Sequence, residues 1–200
     1  FLALDIIKRD KKFYKSLEDR FSFFDKDKKL ILVTGHRREN FGKSLENICD
    51  SLLEISELES LEIIFSVHLN PNVRNTVFER LEGLKNVHLI DPLDYIPFVY
   101  LMKQSYLILT DSGGIQEEAP SLGKPVLVMR DKTERPEALK AETVRLVGSN
   151  KEKIVQEVSN LLNNEKEYNR ISQISNPYGD GTASEMIKDT LLSTAQILSN

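Results

Sequence analysis

The sequence predicts an α/β domain in which helices cover both faces of a doubly wound parallel sheet. Short apolar runs rich in β-branched residues alternate with longer amphipathic segments along most of the chain. The gaps between runs are long enough for helical crossovers, which parallel strands require. The 200 residues, 40% of them apolar, are sufficient to form one domain with a continuous core.

Taken in order, the elements begin with a segment of about twenty residues in which Leu4 and Ile7 recur at helical spacing among charged residues. It predicts one helix that packs on the domain. Six strands are predicted next, at residues 30–34, 62–67, 87–90, 106–110, 125–129 and 143–146. Beyond Gly148 the pattern is helical only, at residues 151–162, 165–174 and 182–198. The last helix follows a Pro/Gly break at 176–181, so we expect it to cross to a neighbouring domain.

Composition narrows the function. The formal charge of -4, without a long basic run, argues against a nucleic-acid partner that is bound by phosphate neutralisation. Cys49 is the single cysteine, and no Cys/His cluster has metal-ligand spacing. No segment has the length and apolarity of a membrane span. We therefore expect a cytoplasmic, metal-free protein, and the start at Phe1 rather than Met suggests a part of a longer chain.

Ligands of doubly wound sheets bind beyond the carboxyl ends of the strands, and here five strand ends are followed by polar segments. Those segments are residues 34–42, 68–72, 91–92, 110–114 and 130–136. Because parallel strands end at the same edge of a sheet, the segments are expected to converge on one polar crevice.

The segment after the fourth strand, residues 110–118, is the most informative. Ser112, Gly113 and Gly114 connect a buried strand to a predicted helix, whose first N–H groups lack carbonyl partners and attract an anion. Glu118, one turn further on, would repel a phosphate but is able to accept hydrogen bonds from a ribose diol. This pattern favours a nucleotide. An ordinary connection with Ser112 as a helix cap remains the alternative.

Other candidates have equally simple structural interpretations. His36 is either a loop histidine or part of a site with Arg37, Arg38 and Glu39. His68 is either functional or buried with its ring nitrogens satisfied by backbone groups.

Arg135 either contacts an anion or forms a salt bridge with Glu134 or Glu137. Glu117 lies about 100° from Glu118 around the helix, so its side chain is predicted to face the surface. Three aromatic residues of one helix are most simply core, although a Phe also suits a lip above a nucleobase. They are Tyr95, Phe98 and Tyr100.

Four long motifs then point to a family. They are GHRRENFG at 35–42, VHLNPNVR at 67–74, DSGGIQEEAPSLGKPVLVMRDKTERPEA at 111–138 and NPYGDGTAS at 176–184. In this order they resemble the C-terminal half of the non-hydrolysing UDP-N-acetylglucosamine 2-epimerases, and the resemblance covers nearly the whole chain. It implies the second Rossmann-like domain of a two-domain, glycosyltransferase-B-type fold.

The resemblance also implies an activity, the reversible inversion at C2 that interconverts UDP-GlcNAc and UDP-ManNAc. The reaction proceeds by elimination and re-addition of UDP and needs no nicotinamide or metal cofactor. The acids that move the C2 proton belong to the N-terminal half, so we expect this chain to bind UDP weakly and not to epimerise. His36 is the single catalytic candidate in this half. The implied UDP contacts are His36, Phe98, Ser112, Gly113, Gly114, Glu118 and Arg135.

Each implied contact has a physical role. The segment 112–114 would hold the leaving diphosphate, with Arg135 adding charge-assisted bonds and His36 facing the diphosphate or sugar. Glu118 would bind the ribose and Phe98 would lie beside the uracil. Leu93 departs from the family pattern, because many relatives have a glutamine at this position and leucine has no side-chain hydrogen bond to offer the base.

The resemblance further suggests a homodimer and a second, regulatory UDP-GlcNAc site, with Arg37, Arg38, Glu39 and His68 as candidates. Two other function classes stay open at this point. One is the donor-binding domain of a nucleotide-sugar-dependent glycosyltransferase, which would not exchange the C2 proton with solvent. The other is a non-catalytic nucleotide-binding module, whose binding would be insensitive to the sugar.

Overall fold

The computed structural model describes residues 2–58 and 60–198. Within them lies one sheet of six parallel strands, in the spatial order β3-β2-β1-β4-β5-β6. The strands are β1 (Lys29–Gly35), β2 (Leu61–Val67), β3 (Val87–Ile90), β4 (Leu107–Thr110), β5 (Val126–Val128) and β6 (Val144–Leu146). The doubly wound parallel sheet is confirmed, and each strand lies within two residues of its predicted bounds.

The strand order reverses at the centre of the sheet. The chain runs outward from β1 to β3 and then returns to place β4 against the free side of β1, with Thr34 opposite Thr110 in register. In doubly wound sheets, the connections on the two sides of such a reversal point leave by opposite faces, and ligands bind in the crevice between them. Any ligand of the sheet is expected there.

Ten α-helices lie in the described part of the chain. They are α1 (Leu2–Arg9), α2 (Lys11–Arg20), α3 (Lys43–Ser56), α4 (Pro71–Leu81), α5 (Tyr95–Gln104), α6 (Gly113–Glu118), α7 (Pro136–Lys140), α8 (Lys151–Asn163), α9 (Glu165–Ser172) and α10 (Ala183–Leu198). Short 3-10 turns occupy Arg38–Asn40 and Ala119–Leu122.

The prediction of a single helix over the first twenty residues is wrong. The segment breaks at Asp10, whose carboxylate accepts a 2.9 Å hydrogen bond from the Phe13 N–H and caps α2. A residue in the extended conformation of an N-cap cannot also continue the preceding helix. Ala3 and Ile7 are buried, so the expected packing of this region on the domain is confirmed.

The core has one layer on each face of the sheet. Ile31 and Val33 point into the layer beneath α3, α4 and α8, whereas Leu30 and Leu32 point into the layer beneath α1, α2 and α5. Alternate burial of this kind is what a parallel strand covered on both faces requires. In the second layer Tyr100 stacks on Phe21 with ring centroids 5.7 Å apart, which confirms Tyr100 as a core residue.

The C-terminal segment leaves the sheet after α9. Asn176 of the Pro/Gly break donates hydrogen bonds to the Glu117 carbonyl, at 2.7 Å, and to Ser121 Oγ, and thereby ties the break to α6. Beyond it the residues of α10 up to position 194 are exposed, including Met186 and Leu191. The predicted helix is present, and its crossing to a neighbouring domain stays a prediction. Among the described helices, none has the length and hydropathy to cross a membrane.

Candidate functional site

The strand ends at the reversal point are joined by hydroxyl groups. Thr34 Oγ1 and Thr110 Oγ1 lie 2.7 Å apart, and the Ser112 N–H donates to Thr110 Oγ1 at 3.0 Å. Both threonines are buried, so this pairing satisfies polar groups that have left water. It fixes the point from which the loops after β1 and β4 depart.

Asp111 connects these two loops. Its side chain is fully buried and accepts the backbone N–H groups of His36 and Arg37, with shortest distances of 2.9 and 2.8 Å. The Asn40 side-chain amide donates to the same carboxylate at 3.1 Å and to the Met129 carbonyl at 3.1 Å. The loop after β1 is therefore anchored on the residue that immediately precedes Ser112.

The connection at 112–114 has the predicted form, because α6 begins at Gly113. Ser112 occupies the N-cap position, but its hydroxyl makes no capping hydrogen bond within the described part of the chain. The interpretation of Ser112 as an ordinary side-chain cap is therefore wrong. The hydroxyl and the first amides of α6 are left for another partner.

Neither glycine at the start of α6 is required by the backbone. Gly113 and Gly114 lack positive φ angles. A Cβ built on Gly114 would have no neighbour within 4 Å, and one on Gly113 would have none closer than 3.7 Å. Alanine favours a helix over glycine by up to about 1 kcal/mol, so the fold alone does not explain two glycines here. Close approach of a ligand to the backbone does explain them.

Two guanidinium groups lie over the same point. A Cβ atom built on the Gly113 backbone would lie 3.7 Å from Arg135 Nη2 and 3.9 Å from Arg37 Nη2. Arg37 Nε is buried and has no hydrogen-bond partner among the described residues. Positive charge from two elements thus converges on the start of α6, where the helix dipole also favours an anion.

Arg135 is held by a residue that the sequence assigned to the surface. Its Nε donates to the Glu117 carboxylate and its Nη1 to the Glu134 carbonyl at 3.2 Å. The Glu117 side chain is 38% exposed, so it lies at the surface as predicted, and its carboxylate pairs across to the loop after β5. Among the described residues, Arg135 forms no salt bridge with Glu134 or Glu137, so that alternative is wrong; its side chain folds back toward α6 instead.

The loop after β5 is anchored by Arg130, whose side chain is 7% exposed. Its guanidinium makes two 3.0 Å bonds to the Glu134 carboxylate and one of 2.6 Å to Glu39. The bonds from Arg130 lower the pKa of Glu134 to about 2. This loop and the turn that carries Glu39 and Asn40 together line a cavity of about 620 Å³.

A second group of residues lies at the other end of α6. Glu118 is exposed and accepts a 2.8 Å hydrogen bond from the Tyr95 hydroxyl, which raises the pKa of Tyr95. Tyr95 is 58% exposed, so its prediction as a core residue is wrong. Phe98, one turn along α5, is half-buried and packs on the core beneath it. A pocket of about 240 Å³ lies between α5, α6 and the Pro/Gly break.

The two histidines of the candidate set lie side by side. The rings of His36 and His68 have centroids 5.7 Å apart and an interplanar angle of 23°. His36 Nδ1 is 3.4 Å from Asp111 Oδ1, while His68 Nδ1 accepts the Asn70 N–H at 3.1 Å. His68 is exposed, which rules out the alternative of a buried histidine.

Comparison with known proteins decides the family. The sequence model of the UDP-N-acetylglucosamine 2-epimerase family matches residues 2–192. The chain belongs to this family. The protein from Escherichia coli K12 named UDP-N-acetylglucosamine 2-epimerase is 56% identical over 188 residues, which are 94% of this chain and 50% of the relative. The chain thus spans about half the length of the curated relatives that it matches.

Solved structures agree with the fold. The UDP-GlcNAc 2-epimerase of Neisseria meningitidis, crystallised with UDP-GlcNAc, superposes with a TM-score of 0.91 at 48% identity and covers 96% of this chain and 52% of its own. Sucrose-phosphate synthase from Thermosynechococcus elongatus shares the fold alone, with a TM-score of 0.63, 12% identity and coverage of 93% and 49%. The glycosyltransferase-B-type architecture predicted from the motifs is therefore confirmed.

The predicted site residues fall into two groups. His36, the 112–114 connection and Arg135 meet at the reversal point, together with Arg37, and Glu118 and Phe98 lie on the α5 side of α6. Arg38 and Glu39 are exposed on the turn that follows. In the described ranges, no group of three His, Cys, Asp or Glu residues is arranged to hold a metal ion.

Sequence reasoning missed three residues that organise the site, Asp111, Tyr95 and Gln116. Gln116 is fully buried, donates to the Ser112 carbonyl at 3.1 Å and accepts from Thr133 at 2.6 Å. Asp111 carried one usable signal, since an acidic residue directly after a buried strand requires partners when it is buried. Tyr95 carried none, because its partner Glu118 is distant in sequence, and Gln116 carried none, because the contact that ties it to the loop after β5 comes from the distant Thr133.

Proposed function

We propose that this chain is the UDP-binding, C-terminal domain of a UDP-N-acetylglucosamine 2-epimerase that interconverts UDP-GlcNAc and UDP-ManNAc. The observation that carries the proposal is the convergence of Arg37 and Arg135 on Gly113, at a helix start where glycine is not required by the fold. The related Neisseria protein, crystallised with UDP-GlcNAc, supports the same ligand class here.

The diphosphate binds at the start of α6. The Ser112 hydroxyl and the Gly113 and Gly114 amides donate to it, while the Ser112 N–H stays on Thr110 Oγ1, and Arg135, Arg37 and His36 complete its surroundings. When the bond between the sugar C1 and the diphosphate breaks, negative charge grows on the leaving group. Donors that are already oriented toward it stabilise that charge, and each lowers the barrier by roughly 2–4 kcal/mol in comparable sites.

The nucleoside binds on the α5 side of α6. Glu118 accepts the ribose hydroxyls, with one of its oxygens also held by Tyr95. Phe98 lies beside the uracil, whose polar edge is bound by backbone groups because Leu93 offers none. The pocket between α5, α6 and the Pro/Gly break suits a nucleoside in size and in its mixture of apolar and carboxylate groups.

The reaction needs the rest of the enzyme. The acids that remove and return the C2 proton lie in the N-terminal domain, so this chain alone binds UDP weakly and does not turn over. A homodimeric whole protein, its cytoplasmic location and a regulatory UDP-GlcNAc site remain predictions. For that regulatory site Arg38 and His68 are exposed, whereas Glu39 is engaged by Arg130 and Arg37 faces Gly113.

Proton NMR of UDP-GlcNAc in heavy water tests the proposal. With this chain alone, we expect uridine resonances to shift while the C2 proton signal persists. With the full-length protein, the C2 signal disappears and UDP-ManNAc resonances grow. Binding without exchange in an active full-length preparation would contradict the epimerase and favour a glycosyltransferase. Binding that is insensitive to the sugar, also without exchange, would favour a non-catalytic module.

A further inference from the structure

The Asp111 carboxylate accepts hydrogen bonds from three groups of the candidate site. Its carboxylate is fully buried, so it is not available to contact a nucleotide directly. Its donors are the His36 N–H, the Arg37 N–H and the Asn40 side-chain amide, at shortest distances of 2.9, 2.8 and 3.1 Å. All three belong to the loop after β1, whereas Asp111 itself belongs to the segment that starts α6.

An oxygen that accepts hydrogen bonds from two consecutive backbone N–H groups fixes the orientation of that part of the backbone. Asp111 Oδ2 accepts from both His36 and Arg37, so the backbone from which both side chains project is held in one orientation. Without the carboxylate these N–H groups would lose their acceptor at a site closed to water, and the loop would have to rearrange to satisfy them.

The same carboxylate faces the His36 ring. His36 Nδ1 lies 3.4 Å from Asp111 Oδ1, and the negative charge of the carboxylate favours the tautomer that carries its proton on Nδ1. The His36 side chain is 43% exposed, so part of it is accessible to a ligand. The neighbouring Arg37 places Nη2 at 3.9 Å from the Cβ position of Gly113.

We propose that Asp111 is a positioning residue that holds His36 and Arg37 in place against the start of α6. An anion then meets donors from two separate strand ends that are already assembled, because Asp111 joins the loop after β1 to the residue preceding Ser112. The inference deepens the proposed function and rests on it for the identity of the anion. Asp111 acts through His36 and Arg37 and does not itself contact the ligand.

The variant Asp111→Asn tests this role, since it keeps the shape but presents an NH₂ group where a carboxylate oxygen accepted. In the full chain, at a temperature where circular dichroism shows the variant folded, we expect UDP affinity to fall at least tenfold by calorimetry. The ¹⁵N spectrum of His36 is expected to lose its preference for the Nδ1–H tautomer. Ser105→Ala is the matched control, because it removes one buried hydrogen bond, from the Ser105 hydroxyl to the Met102 carbonyl, at the end of α5 and away from the loop after β1.

A loss of stability without a loss of affinity would indicate that Asp111 has a structural role only. If Asp111→Asn and Ser105→Ala lower the melting temperature but both keep UDP affinity within twofold and the His36 tautomer unchanged, the inference is wrong. Should Asp111→Asn fail to fold, Asn40→Ala loosens the same loop from its other side, and an unchanged UDP affinity in that variant would likewise overturn it. A threefold or greater loss would support it.

Different results would refute the proposed function and the role of Asp111. If the parent chain does not bind UDP, the UDP assignment is wrong, and the role of Asp111 is judged on the His36 tautomer and on affinity for inorganic pyrophosphate. A tautomer shift in Asp111→Asn, with weaker pyrophosphate binding, supports the positioning role whatever the nucleotide. An unchanged tautomer and unchanged pyrophosphate affinity would refute it.

Discussion

The Tyr95 hydroxyl donates a 2.8 Å hydrogen bond to Oε2 of Glu118, across the gap between the start of α5 and the end of α6. Both side chains are exposed, so neither is held there by burial. The bond instead orients the carboxylate that we assign to the ribose. Its removal is therefore expected to affect ligand binding more than stability.

For Tyr95→Phe we expect UDP affinity to fall about fivefold, the equivalent of roughly 1 kcal/mol for one hydrogen bond to a charged group. The melting temperature is expected to stay unchanged, because Tyr95 is largely exposed. Calorimetric titration and thermal melts measure the two quantities. Tyr168→Phe is the control: it also removes one hydroxyl contact, to the Tyr106 carbonyl, and should lower stability without changing affinity.

Glu118→Gln tests the ribose assignment itself. The neutral amide accepts hydrogen bonds less strongly than the carboxylate, so we expect UDP to bind about tenfold more weakly. The loss should shrink when 2′-deoxy-UDP is titrated, since that ligand lacks one of the hydroxyls. An equal loss for both ligands would argue that Glu118 does not contact the 2′-hydroxyl. Glu79→Gln, an exposed residue of α4, serves as the charge-matched control.

Two glycine substitutions are expected to have opposite effects. Gly114→Ala should leave the protein as stable as before or stabilise it by up to about 1 kcal/mol, because alanine favours a helix. Its methyl group occupies the approach to the α6 amides, so UDP affinity should drop at least tenfold. If affinity does not change, the diphosphate does not bind at Gly114.

Gly123→Ala should instead destabilise the fold by about 2 kcal/mol. Gly123 has φ of +66°, and its Cβ would lie 2.9 Å from the Ser172 carbonyl oxygen. The affinity of the folded fraction for UDP is expected to be unchanged. Urea denaturation and calorimetry on both variants separate the two behaviours.

Arg130→Met probes the anchor of the loop after β5, and its effect should depend on pH. The pKa of Glu134 is lowered to about 2 in the folded protein, below its ordinary value of 4.5, so the pair stabilises the fold fully above pH 4.5. That contribution declines as the pH falls toward 2. We expect the variant to be less stable than the parent at pH 7, with a smaller difference at pH 3, by urea denaturation. A difference that is constant with pH would exclude the ion pair as its source.

The fold followed from the sequence because its signals are local. Strand and helix periodicity placed the six strands within two residues, and polar residues after each strand located the binding edge. The helix break at Asp10 was missed because capping depends on one side-chain contact rather than on periodicity. The motif resemblance identified the family, which the comparison confirmed.

Side-chain partners were less predictable. Helical phase placed Glu117 on the surface, but Arg135 of a distant loop folds back onto it. Tyr95 and Tyr100 lie on one helix and have opposite exposures, as their separation of about 140° around the helix allows, but the spacing did not show which of them faces the core. The pairing of Glu117 with Arg135 joins residues of two separate elements, and single-sequence patterns carry no information on such contacts. The assignments of UDP contacts to individual residues stay predictions.

Cys49 has a practical consequence for spectroscopy. It is the single cysteine of the chain and lies in the core, where burial raises the pKa of its thiol to about 12. A thiol in that state hardly reacts with maleimide or iodoacetamide, because the thiolate is the nucleophile. A cysteine introduced at the exposed Leu69 would therefore accept a fluorophore selectively in the otherwise unmodified chain, and its emission would report on the edge where the strands end.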